Sequence, residues 1–93
     1  MQSYVYFMTN SHNTVLYIGV TSNLVKRVYE HKNCVDKSSF TYKYNSHKLV
    51  YHEIFGDICY AIEREKQLKN WKRIWKNELV NKKNPNWDEL SII

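Results

Sequence analysis

Ninety-three residues with 14 Lys+Arg against 9 Asp+Glu give a formal net charge of +5. The length accommodates one small domain, residues 1–93, and no second core, while 43% apolar and 25% charged residues exclude a disordered chain. No apolar run nears the roughly 18 residues of a membrane span, no basic leader precedes an apolar stretch, and Cys34 and Cys59, without a CxxC, suggest neither a disulfide framework nor a zinc knuckle. A cytoplasmic chain with no membrane attachment is expected. Tyr4–Met8 and Val15–Val20 are rich in strand formers, and the polar segment Thr9–Thr14 between them makes the pair a hairpin. Val5 and Phe7 share one face, as do Leu16, Ile18 and Val20, and these are the expected core positions. A hairpin symmetric about Ser11–His12 would set Tyr6 directly across from Tyr17 on the other, non-core face.

Thr21 or Ser22 is the expected N-cap of a helix running to about Lys32. Its buried stripe is Leu24, Val25 and Val28, bordered by Arg27 and His31, which stand one turn apart. Residues 33–47 are polar and aromatic (Phe40, Tyr42, Tyr44), a loop, and Lys48–Phe55 is a third strand. Gly56-Asp57 ends that strand and caps a long helical stretch from Ile58 to about Lys82. The expected fold class is α/β: a small, mainly antiparallel three-stranded sheet flanked by helices.

The long helix holds the most informative residue. At about 100° per residue from Ile58, Glu65 falls near 340°, inside the arc of Ala61, Ile62 and Leu68, while Glu63 falls near 140°, outside it. A carboxylate on a buried face is costly unless it is paired or binds a metal. Further along, Leu68, Trp71, Trp75 and Leu79 continue the apolar side, with Lys66, Lys69, Lys72, Arg73 and Lys76 around them. Basic charge and 15% aromatic residues together suit a polyanion, because phosphates attract Lys and Arg and bases stack on rings.

Tyr6, Tyr17-Ile18-Gly19, Arg27 and Glu65 together resemble the GIY-YIG nuclease superfamily, over nearly the whole chain. Tyr4-Val5-Tyr6 stands in place of the first motif and keeps its final tyrosine, and a complete Tyr-Ile-Gly follows. After these come Arg27, then Tyr29-Glu30-His31, then Ala61–Trp71 with Asn84-Pro85-Asn86-Trp87, as in the small stand-alone members. The resemblance implies a metal-dependent endonuclease of DNA with low sequence selectivity, or with a protein partner that supplies specificity. It implies that Glu65 holds one Mg²⁺ (or Mn²⁺), a hard cation suited to a carboxylate and water, in a single-metal site. Arg27 would clamp the scissile phosphate. Tyr6 and Tyr17 would position the attacking water, with Tyr17 as its base; a tyrosine serves as base where cations favour phenolate. His31 would complete the catalytic set. Gly19, Lys69 and Asn84 would contact substrate, with Asn86 competing for the asparagine position and Lys43 or His47 for a further basic one. Gly19 would admit a close approach of the backbone to helix or substrate.

Each residue also has a structural reading. Tyr6 and Tyr17 as cross-strand aromatics, Arg27 and His31 as a solvated helix face, a Glu65–Lys69 salt bridge, a Trp71/Trp75 core stripe and inert cysteines would all be ordinary. An inactive nucleic-acid-binding module of the same fold is the alternative function, and a protein-interaction domain using the Tyr/Trp surface is the third.

Overall fold

The computed structural model describes residues 2–33 and 46–91. Cys34, Phe40, Tyr42, Lys43 and Tyr44 lie outside the described residues. The architecture is α/β, with a three-stranded antiparallel sheet and three helices among the described residues. In chain order the elements are β1 (Ser3–Thr9), β2 (Leu16–Thr21), α1 (Leu24–Lys32), β3 (Lys48–Phe55), α2 (Ile58–Asn70) and α3 (Arg73–Lys83). The sheet order is β2-β1-β3, antiparallel throughout, so β1 is the central strand.

The hairpin register differs from the symmetric expectation by two residues. Tyr6 pairs with Gly19, and Tyr17 with Met8. The turn sets this. Asn10 accepts from the backbone of Thr14 (2.8 Å) and Val15 (3.2 Å), and Asn13 takes a left-handed φ of 58°. A two-residue shift preserves faces, so the two tyrosines become diagonal neighbours on one side.

Both faces of the sheet are buried. On one, Val5, Phe7, Ile18, Val50 and Tyr51 pack with Ala61 and Leu68 of α2 and Val80 of α3, and Leu16 and Val20 border them. The bulge opposite Phe7/Met8 turns both Val50 and Tyr51 toward this core. The other face, expected to lie outside the core, is a second one: Tyr6, Met8 and Leu49 are sealed under Leu24 and Val28 of α1.

The helices depart from expectation at two places. The α1 N-cap is Asn23, whose side chain accepts from Lys26 N at 3.1 Å. Thr21 instead bonds the Asn23 backbone, and Val25 is half exposed. The long helix is two helices, broken where Trp71 and Lys72 turn extended (ψ 150° and 149°). No Gly or Pro marks the break. A tertiary contact holds it: Arg73 donates to the carbonyls of Asn13 (3.0 Å) and Thr14 (3.3 Å) in the hairpin turn, while Arg64 of the preceding helix lies over Trp71 at 5.1 Å. Trp71 borders the first core, whereas Trp75 is 47% exposed and forms no core stripe.

Candidate active site

Three rings from three elements make a compact group on the α1 side. Tyr6 comes from the central strand, Tyr17 from β2 and His31 from the last turn of α1. Ring centroids are 6.0 Å apart for Tyr6–Tyr17, 5.8 Å for Tyr6–His31 and 5.7 Å for Tyr17–His31. The Tyr6 hydroxyl and His31 Nε2 share a hydrogen bond of 3.1 Å. His31 therefore stands with the tyrosines and not on a solvated helix face.

Gly19 makes this packing possible. A Cβ there would lie 2.5 Å from the Tyr6 hydroxyl oxygen, 2.6 Å from its Cζ and 2.9 Å from a Tyr17 ring carbon. The close approach expected at Gly19 is thus made by a tyrosine ring, neither by a helix nor by open substrate space.

Burial pushes the Tyr6 phenol far above its ordinary value, and the charge and hydrogen bonding of Tyr17 add to this. Arg27 opposes the rise and Glu65 supports it, so both charges register at the Tyr6 hydroxyl. Tyr6 therefore stays a neutral phenol. Burial, and then the Arg27 charge, lower the His31 pKa, with His47 acting in the same direction. The imidazole is thus held neutral near pH 7.

Glu65 approaches from a different direction. Its helix α2 packs on the sheet face opposite α1 and lies against β1 and the edge strand β2. The side chain is 15% exposed and paired with Lys69 Nζ at 3.5 Å, whereas Glu63 is exposed. That separation exceeds a close charge-assisted hydrogen bond, and Lys69 is itself half exposed. Arg27 is similarly loose, 3.5 Å from Glu30 and 45% exposed. Arg27 and Glu65 each act electrostatically on the Tyr6 hydroxyl, and Arg27 also on His31.

Asn84 is placed differently. It is buried, donates to the carbonyls of Val50 (3.0 Å) and Asp88 (2.8 Å), and accepts from Asp88 N (3.1 Å). Its amide ties the end of α3 to β3, and Asn86 is exposed.

A polar cluster that the sequence reading passed over sits on the α2 side. Arg64 grips Glu53 through Nε (2.9 Å) and a terminal nitrogen (3.1 Å), and Tyr51 donates to the same carboxylate at 2.5 Å. Burial raises the Glu53 pKa, but the Arg64 and Tyr51 hydrogen bonds outweigh it and hold the carboxyl below its usual value. Strand alternation carried the signal, because Glu53 stands opposite Val5, on a core face where a carboxylate needs a partner.

The GIY-YIG catalytic domain model matches residues 2–83 of the chain. The chain belongs to the GIY-YIG family. A UPF0213 protein of Syntrophus aciditrophicus (strain SB) is 34% identical over 84 residues, covering 90% of this chain and 94% of that protein. The solution NMR structure of a UPF0213 protein from Bacillus halodurans shares the fold, with a TM-score of 0.60 at 24% identity, over 96% of this chain and 93% of that one. The GIY-YIG domain is that of a nuclease superfamily, generally metal-dependent and acting on nucleic acid. Tyr6, Tyr17 and Gly19 occupy the two motifs that give the GIY-YIG family its name. No helix among the described residues is long and apolar enough to cross a membrane.

Proposed function

We propose that the protein is an endonuclease that hydrolyses phosphodiester bonds in DNA with one divalent cation, Mg²⁺ or Mn²⁺, and with low sequence selectivity. The observation that carries this reading is the packing of Tyr6, Tyr17 and His31 over Gly19, with the charges of Arg27 and Glu65 both felt at the Tyr6 hydroxyl.

Hydrolysis needs an activated water in line with phosphorus and positive charge around the phosphoryl oxygens. Among the described residues, no three His, Cys, Asp or Glu side chains gather as a ligand cluster. The donors fit a hard cation held by the Glu65 carboxylate and completed by water, not a zinc-type cage. When bound, such an ion supplies Lewis-acid charge at the phosphate. Arg27, half exposed and loosely paired, is free to swing onto a phosphate oxygen in a bidentate grip. Lys69, on the solvent side of Glu65, can follow the neighbouring backbone phosphate.

The two tyrosines divide the remaining work by burial. Tyr6 is sealed, and its raised pKa keeps the proton on oxygen, so it orients through its bond to His31. Tyr17 is only partly buried and would meet the attacking water, taking its proton in the phenolate form that a bound cation would favour. His31 fixes both rings as a neutral imidazole.

The test incubates the protein with plasmid and with single-stranded DNA, plus Mg²⁺ or Mn²⁺. Cleavage that a chelator stops, and that Tyr17→Phe and Glu65→Gln each reduce by roughly 10²-fold or more, supports the reading, provided both variants keep the wild-type circular dichroism. Salt-sensitive binding without cleavage would establish the inactive binding module instead.

A further inference from the structure

The α2–α3 break leaves an aromatic and cationic face that, Lys69 apart, the proposed chemistry does not use. Trp75, in the first turn of α3, is 47% exposed, and Ile74 beside it is 61% exposed. The Trp75 ring is held edge-on by Trp71, with centroids 6.2 Å apart and planes at 86°, and Lys72 Nζ lies 5.7 Å from its centre. Between residues 66 and 76 the chain carries Lys66, Lys69, Lys72, Arg73 and Lys76 and no acidic residue. Arg73 is committed to the hairpin turn, but the lysines are not.

This face is continuous with the candidate site. Lys69 pairs with Glu65, and Lys76 Nζ reaches the Lys69 carbonyl at 3.5 Å. A path of positive charge therefore runs from the proposed metal carboxylate to the Trp75 ring.

Resting on the nuclease reading above, we propose that Trp75, with Lys72 and Lys76, is a stacking platform for an unpaired base of the substrate strand, whose phosphates follow Lys69 to Glu65. A half-exposed indole locked by a second indole is a preordered flat surface, and base–aromatic stacking tolerates any base. The lysine heads complement the polyanion that carries the base. Paired bases cannot reach the ring, so the platform favours single strands over duplex.

Binding of a labelled oligothymidylate and of a matching duplex, in chelator so that neither is cut, tests this. Trp75→Ala should weaken oligothymidylate binding roughly tenfold and leave duplex binding unchanged, while Trp75→Phe should keep most of the affinity. Circular dichroism and the unfolding midpoint verify that the variants are folded. Wild-type oligothymidylate affinity in Trp75→Ala, or an equal loss on both strands, would overturn the platform. Self-association of the wild type that Trp75→Ala abolishes would assign the face to a second copy and overturn it too. A protein that cleaves DNA while Trp75→Ala binds normally sinks the platform alone; one that neither binds nor cleaves sinks the nuclease reading with it.

Discussion

At the scale of single residues, Gly19 carries the sharpest consequence. The space its Cβ would need is filled by the Tyr6 hydroxyl and ring, and Tyr6 is sealed in the second core with no route of retreat. Gly19→Ala should therefore lower stability by about 1–3 kcal/mol, as overpacking does, and abolish cleavage by displacing both tyrosines. Urea unfolding and a cleavage assay on the same preparation check both parts. The histidines set a pH dependence. Burial, then cationic neighbours (Arg27 at His31, Lys83 at His52), lower both pKa values from 6.5. Below that value the unfolded chain takes up these protons more readily than the fold does. Stability should therefore fall as pH drops from about 6.5 through the lowered values and level off beneath them. Urea midpoints across that window should decline less in His31→Gln and His52→Gln than in the wild type. Motif order singles out Tyr6, Tyr17, Arg27, His31 and Glu65 as candidates, and the fold packs Tyr6, Tyr17 and His31 together. What Gly19 does was not legible in the sequence, because the direction of the Tyr6 ring depends on a register fixed by the Asn10–Asn13 turn.

At the scale of elements, local chemistry decided where the sequence could be read. Lys48–Phe55 and the Asp57 cap were legible because β-branched and aromatic residues end at Gly56-Asp57, and the Asp57 carboxylate accepts from Cys59 N at 2.8 Å. The break after Asn70 was not, because residues distant in the chain hold it: the hairpin turn accepts from Arg73. Nor was the second core, since Tyr6 and Met8 read as an outer face until α1 covers them. Asn84 belongs to this scale. Its three side-chain hydrogen bonds join α3, the following turn and β3, so Asn84→Ala should cost about 1–3 kcal/mol by orphaning buried backbone groups. Thermal unfolding of the variant, set beside its KM for DNA at a temperature where it is folded, distinguishes the roles. A tie between elements lowers the midpoint and leaves KM near wild type, whereas a substrate contact raises KM and leaves the midpoint alone.

At the scale of the whole molecule, the net charge of +5 becomes a spatial statement once the fold is known. Arg73 is spent on carbonyls, Arg64 on Glu53, and Lys32 pairs with Glu89. Among the described residues, a run of cations lies along α2 and α3, where Lys66, Lys69, Lys72 and Lys76 follow one another without an intervening acid. Neutralising a phosphate releases condensed counterions, so binding weakens linearly on a log–log plot against salt, by about 0.7 per contact on a single strand. Four lysines predict a slope of about −2 to −3 for oligothymidylate in chelator. Replacing Lys72 and Lys76 together by Gln should reduce that slope by about 1.4, with the fold verified by circular dichroism because Lys76 is partly buried and contacts the Lys69 carbonyl. The paired substitution of Lys82 and Lys83, at the far end of α3, should leave the slope where it was. Equal changes in the two double variants would mean that the strand senses only net charge, and the directed path from Trp75 to Glu65 would have to be given up.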